Sequence, residues 1–390
     1  MNPAPKKIVL LGMASKIPVA GVVWQTLHYL IGFRLLGHDI YYVEEHGRTP
    51  SMSMETAEDD AEAMAAAFIA QLMHRFDLGD LWAFHALYDD GRCFGLSEGK
   101  LKELFRSADL IINLHGGTIP LPEHYSRDRL VYLETDPAEV QIQLHSGSSE
   151  VIDYLAPHRA FFSYGENYAR PGCKFPVSDR FHFQDTRQPV VLDFWRAEGD
   201  RTGDLFATIG NWKQQWRDIR FNGEGYHWSK HHEFLKFLDL PKRTGQPFEL
   251  ALSSYDEEEQ AMLESKGWRV RHALDLSREI DPYRTYITES RGEFTVAKDQ
   301  NVRLRTGWFS DRSATYLAAG RPVVTQETGF SDFLPTGEGL FGFSTIEEAI
   351  GAVEDINSDY QRHRDAAFSI AREYFSHEVV LKRLLDDIGL

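Results

Sequence analysis

The chain has 390 residues, 42% apolar and 13% aromatic, which supports an ordinary globular core and excludes a disordered chain. A prior of about 150 residues per domain makes that roughly two or three domains. Fifty-nine acidic against 42 basic side chains give a formal net charge of -17, a surface that repels a phosphate backbone, so nucleic acid is not expected as a partner.

Only Cys93 and Cys173 are present, far apart, which builds neither a disulfide framework nor a thiolate metal cage and fits a reducing cytoplasm. No apolar run approaches the roughly 20 residues of a membrane span. Lys6 and Lys7 precede the apolar run from Ile8 to Ala14 as they would in a signal peptide, but the run is short and reads as a buried first strand.

In chain order, IVLLG (Ile8 to Gly12) is apolar throughout, the habit of a parallel strand covered on both faces. A loop and a helix from Gly21 to Leu36 follow. Gly37 stands where a left-handed cap belongs, and IYYVEE (Ile40 to Glu45) resumes as a strand, completing a β-α-β unit. A second helix is expected from Glu55 to Phe76, with Glu55, Glu58, Asp59 and Asp60 at its positive end, and Ser97 can cap a shorter one ending near Ser107. The strands ADLIINLHGG (Ala108 to Gly117), RLVYLETDP (Arg129 to Pro137) and AFFSYGEN (Ala160 to Asn167) each run directly into a polar or glycine-bearing turn. From Gly172 to Gly203 helical periodicity fades, with an extended piece at PVVLDFW (Pro189 to Trp195), and the segment reads as an interdomain connection.

A second alternating series follows: LFATIGN (Leu205 to Asn211), FELALS (Phe248 to Ser253), WRVRHA (Trp268 to Ala273), EFTVAK (Glu293 to Lys298), PVVTQ (Pro322 to Gln326) and GLFGF (Gly339 to Phe343). Two such series predict an α/β protein of two doubly wound Rossmann-like domains, with ligands at strand carboxyl ends and in the cleft between them. The predicted boundaries are 1–185 for the first domain, 186–203 for the linker, 204–370 for the second domain, and 371–390 for a terminal helix that packs back on the first domain.

The chemistry concentrates in turns. A helix beginning near Ser310 and ending at Ala319, with Gly320 as cap, carries Ser310, Asp311, Arg312 and Ser313 at its amino end. Unsatisfied backbone N–H groups there suit a phosphate, although the same residues also make an ordinary helix cap. The strand PVVTQ delivers Gln326, Glu327, Thr328 and Gly329 to the same rim, and Lys298, Arg303 and Arg305 just upstream can neutralise phosphate unless they belong to a solvated loop. In the first domain His115 and Asp136 stand at strand ends where each can accept a proton, or serve as turn residues, and Gly21 allows backbone close to a ligand. His227 and His231, four apart with Glu233 nearby, invite a zinc reading, but no HExxH pattern exists. Trp212, Trp216, Tyr226 and Trp228 in the insertion Gly210 to Phe234 supply flat faces for a sugar ring or for a core.

The segment SDRSATYLAAGRPVVTQETGFSDFLPTGEGLFGFSTIEEAIGAVEDI (Ser310 to Ile356) resembles the carboxyl-terminal domain of group 1 glycosyltransferases of GT-B architecture. The resemblance is diffuse elsewhere, through the first strand, a glycine-bearing loop and LLGHDIYYVE (Leu35 to Glu44). It implies a metal-independent glycosyltransferase, hexosyltransferase-like, that takes a nucleotide sugar such as a UDP-sugar as co-substrate, without a cofactor, and passes the sugar to an unidentified acceptor. By similarity, Ser310 to Ser313 would receive the diphosphate of the nucleotide sugar in the second, donor-binding domain, with the acceptor on the side of the first; Thr315 would lie near the ribose, and Gln326 to Gly329 near the donor sugar or phosphate. Gly210 would face the cleft, and the turn at His272, Ala273 and Leu274 would seat the base. Retaining relatives carry two glutamates where this chain has Gly307 and Thr315; Glu327 is a possible substitute for their contacts. A nucleotide-sugar epimerase of the same architecture and a non-catalytic nucleotide-sugar-binding protein are the alternatives. A nicotinamide-dependent oxidoreductase is disfavoured because GMASKIPVAG after the first strand lacks the GxGxxG spacing.

Overall fold

A computed structural model describes residues 4–45, 54, 56, 58–196, 203–214 and 217–390. Glu55, Trp216 and linker residues 197–202 lie outside the described residues.

Eight described strands make the first sheet: β1 (Lys7–Leu11), β2 (Asp39–Glu44), β3 (Trp82–His85), β4 (Cys93–Gly95), β5 (Leu110–Leu114), β6 (Leu130–Glu134), β7 (Ala160–Ser163) and β8 (Phe183–Asp185). Their order is β4-β3-β2-β1-β5-β6-β7-β8, parallel except for β4. Because side chains alternate along a strand, Ile8 and Leu10 enter one core with Tyr29 and Phe33 of the helix Ala20–Leu35. Val9 and Leu11 enter a second core on the other face with Leu101 and Phe105. All four strand residues are 0% exposed, so the unbroken apolar run is explained by two covering layers.

The second sheet is built from β9 (Phe206–Asn211), β12 (Phe248–Ser253), β13 (Trp268–His272), β14 (Gly292–Thr295), β15 (Val323–Gln326) and β16 (Leu340–Phe343). Its order is β13-β12-β9-β14-β15-β16, parallel throughout. Between β9 and β12 a small antiparallel ribbon, β10 (Ile219–Phe221) and β11 (Glu224–Tyr226), turns at Asn222 and Gly223, both at positive φ. Strand order reverses beside β1/β5 in the first sheet and β9/β14 in the second, the positions where open α/β sheets leave a crevice.

Helices close the chain. Ile346–Ser358 covers the second sheet, and His377–Ile388 returns to the first, where Leu381, Leu384, Leu385 and Ile388 join the core around β1. Gly32 makes room for it: a Cβ there would stand 2.7 Å from a Leu381 methyl.

Three local expectations change. The helix expected from Glu55 begins at Ala61, because Asp60 accepts the Ala63 N–H and caps it. The strand expected over Ala160 to Asn167 stops at Ser163, whose hydroxyl accepts the Gly165 N–H and turns the chain. The extended piece Pro189 to Trp195 is a single bridge from Val190 to Ser376 followed by a 3-10 turn, Leu192–Phe194. Its β-branched residues are apolar because they fill the space between domains: Trp195 is 0% exposed and donates to His28.

Candidate functional site

Three cavities adjoin along the cleft, at the carboxyl ends of the strands flanking both reversals. The first, about 340 Å³, is lined by His115, Glu134, Asp136 and Glu139 from the first domain and by Trp228 and Trp308 from the second. The second, about 180 Å³, opens between the ends of β9 and β14 and is lined by Gly210, Thr295, Lys230, Lys298 and Arg312. The third, about 510 Å³, runs from Gly21 and Gly210 to Ser253, Ala273 and Leu274.

The second cavity has three cations in its wall and no carboxylate. Arg312, at the start of the helix Asp311–Ala318, reaches back to both strands. Its Nη1 donates to the Ile209 carbonyl at 2.7 Å, Nη2 to Thr295 Oγ1 at 2.8 Å, and Nε to Glu293 at 2.6 Å. Glu293 is 0% exposed and holds the guanidinium firmly protonated. Lys298 forms an ion pair with Asp136 across the cleft, its ammonium 3.3 Å from the centre of the Trp228 ring. Burial lowers its pKa, opposed by Asp136. The Lys230 ammonium makes no hydrogen bond or ion pair among the described residues; it lies 5.4 Å from the Trp308 ring centre. Burial, then Arg312 and Lys298, lower its pKa to about 7.

The helix end at Ser310 to Ser313 is less open than its sequence implies. Asp311 stands in the first turn, where burial raises the pKa of its carboxyl, opposed by Arg312. The Ser310 carbonyl accepts from Gln188, and Ser313 is 0% exposed inside the helix. Thr315 turns its hydroxyl to the Arg312 carbonyl at 2.7 Å. Gln326 donates to Glu233 at 2.7 Å, Thr328 to the Trp308 carbonyl at 2.7 Å, and Glu327 accepts the Gly329 N–H at 2.5 Å, so these groups support the rim from behind. Arg303 is turned away from the cavities and fastens β11 through Glu224 and the Gly225 carbonyl. Arg305 pairs with Asp332 at 3.2 Å. His272 is exposed beside Asp275, while its neighbours Ala273 and Leu274 line the third cavity.

In the first cavity His115 sits at φ +63, its Nδ1 2.9 Å from Thr135 Oγ1. Burial lowers its pKa to about 4, so the ring is neutral at pH 7. Glu134, the last residue of β6, accepts Ser163 Oγ at 2.5 Å and Gln141 Nε2 at 2.8 Å on one oxygen. Burial is the main cause that raises its pKa to about 8. Sequence reasoning passed over Glu134 and Lys230. A carboxylate closing an apolar strand next to Asp136 was the available signal for the first; Lys230 lies beyond the β10–β11 insertion and gave none.

The stacked ring of His227, His231 and His232 spans centroid distances of 3.9 and 3.8 Å, with Asp218 accepting from His227. Among the described residues no three His, Cys, Asp or Glu side chains are placed to hold a metal ion.

The backbone at position 307 requires glycine. At φ +77, a Cβ would stand 2.6 Å from the Asn167 backbone nitrogen, and Asn167 bonds the Thr306 carbonyl at 3.1 Å and the Arg305 carbonyl at 2.8 Å. Gly307→Glu is therefore expected to lower the thermal midpoint by roughly 5 °C or more, through backbone strain and a clash at the domain contact. A melting curve superimposable on that of the unchanged chain would show that the contact yields freely.

No family model matches the chain, and no curated protein sequence matches it. Solved structures do. An alpha-glucosyltransferase in complex with UDP and a 13-mer DNA containing an HMU base aligns with a TM-score of 0.59 at 12% identity, covering 100% of both chains. Anabaena HepE in complex with UDP aligns with a TM-score of 0.58 at 11% identity, covering 98% of this chain and 99% of that one. AviGT4, a glycosyltransferase involved in avilamycin A biosynthesis, aligns with a TM-score of 0.53 at 11% identity, covering 98% and 97%. With both sheets, their reversal points and the returning terminal helix in hand, these likenesses identify the chain as a protein of the GT-B glycosyltransferase fold.

Proposed function

We propose that the protein is a glycosyltransferase that moves a sugar from a UDP-sugar to an acceptor held by the first domain. One observation carries this reading: in a chain of net charge -17, the cavity at the β9/β14 reversal is walled by Lys230, Lys298 and Arg312 and by no carboxylate. That cavity is the diphosphate seat. Lys230 is its principal contact, since it alone of the three is not committed to a carboxylate, and Gly210 lets the backbone approach. The adjoining 510 Å³ cavity at Ala273 and Leu274 takes the nucleoside.

In the reaction the bond from the anomeric carbon to the diphosphate oxygen breaks and a bond to the acceptor oxygen forms. Negative charge grows on the departing diphosphate, where the fixed cations stabilise it more than in the ground state. The acceptor proton passes to Nε2 of His115, whose neutral imidazole lines the first cavity and whose Nε2 has no partner among the described residues. The choice of UDP is supported by the two structural neighbours crystallised with it. The DNA in one of them is not carried over, because the charge of this chain opposes it. Lys230, uncommitted to a carboxylate and set beside Lys298 and Arg312, supports a metal-free reaction, and two free thiols, Cys93 and Cys173, support a reducing compartment.

A thermal-shift panel of UDP, GDP, ADP and UDP-glucose, run with a chelator, tests the reading. The uridine compounds are expected to raise the midpoint. No shift from any nucleotide would overturn the donor assignment, and a shift that appears only with added divalent cation would overturn the metal-free part. UDP-glucose converted to an isomer without acceptor would establish the epimerase instead.

A further inference from the structure

Three buried polar atoms in the first cavity have no partner among the described residues: His115 Nε2, Glu134 Oε1 and Asp136 Oδ1. Glu134 is 3% exposed, and the three stand just beyond or at the ends of the adjacent strands β5 and β6, so they address one space. A buried polar atom left without a partner is costly unless a ligand or water pairs with it. Their neighbours decide what that ligand can be. Glu139 and Asp311 also line the cavity, making four carboxyl groups against one lining guanidinium, Arg217, which lies 4.3 Å from the Trp228 ring centre. Lys298 is already paired with Asp136. The remaining wall includes the rings of Tyr132, Trp228 and Trp308, which present flat apolar faces.

We infer that the acceptor is a polyhydroxylated molecule of neutral or positive charge, carrying no phosphate or carboxylate, whose hydroxyls pair with the three orphaned atoms. Hydroxyls suit them because each both donates and accepts, which matches a neutral imidazole and carboxyl oxygens together. An anionic group would be repelled at short range by Glu139 and Asp311, lining carboxyl groups that have no ion pair among the described residues. The high pKa of Glu134, raised further by Asp136 and Glu139, shows the same field acting on the protein's own carboxyl.

The inference rests on the glycosyl-transfer reading only for the word acceptor; binding tests it separately. Full-length protein saturated with UDP is titrated with glucose, glucosamine, glucose 6-phosphate and glucuronate, followed by saturation-transfer NMR. Glucose and glucosamine are expected to bind at least tenfold more tightly than the two anions. Equal or tighter binding of either anion, or no signal from both non-anionic probes, overturns the proposal. Glu139→Arg, at the half-exposed rim, is expected to shift the preference at least tenfold towards glucose 6-phosphate; an unchanged ratio would place the probes elsewhere and overturn it too. A protein that binds these polyols but no sugar nucleotide would instead refute the transferase reading and leave this one standing.

Discussion

His115→Gln is expected to lower kcat by about 10²- to 10⁴-fold while leaving affinity for the sugar nucleotide nearly unchanged. Glutamine keeps a polar side chain of similar reach but has no basic nitrogen. The imidazole lines the first cavity and is held in place by Thr135 at Nδ1, leaving Nε2 without a partner among the described residues. With its pKa lowered to about 4, the ring is in the proton-accepting form above that pH, so kcat should rise from acid conditions to a plateau rather than show a step near 6.5. Asp136→Asn provides the contrast, because Asp136 is already engaged by Lys298. Loss of turnover in D136N with full activity in H115Q would reassign the proton to Asp136.

Lys230→Met should weaken binding of UDP-glucose by about 10- to 100-fold, the effect of losing a charge-assisted hydrogen bond of roughly 1.5–3 kcal/mol. Methionine retains an apolar stem beside Trp308, so the change isolates the charge. The pH dependence gives a second readout. Phosphate binds the protonated amine and raises its pKa in the complex. Affinity is therefore fully present below the free value of about 7 and falls as pH rises above it, by up to about tenfold per unit, until the bound pKa is reached. Calorimetry across pH 6 to 9 should show this slope in the unchanged protein and its disappearance in K230M. Identical slopes in both would remove Lys230 from the diphosphate seat. UDP-glucose is the right probe because it has no terminal phosphate that titrates in the same range.

The parts of this fold legible in the sequence were those whose physics is local. Apolar runs such as Ile8 to Gly12 and Phe248 to Ser253 announce strands because both faces are covered. Trp82–His85 and Cys93–Gly95 escaped because short strands near a sheet edge carry little periodicity. The β10–β11 ribbon had a readable mark, Asn222-Gly223 at its turn, which the surrounding aromatic residues obscured. In the site, His115, Asp136, Gly210, Lys298 and Arg312 were reachable because they follow strand ends or open a helix. Their partners were not: that Lys298 pairs with Asp136, 162 positions away, depends on how the two sheets face each other, and that Arg312 is bound to Glu293 depends on how the helix Asp311–Ala318 lies against β14.

The returning helix His377–Ile388 also dictates an order of events during synthesis. Four of its apolar residues complete the core around β1, the first of the described strands to be synthesised. Until that helix emerges, the surface it will cover on the helix Ala20–Leu35 is exposed to water and to other nascent chains, an aggregation hazard of the kind chaperones meet. The first sheet to be translated is thus the last to be sealed, and the second domain must be made before the first is finished.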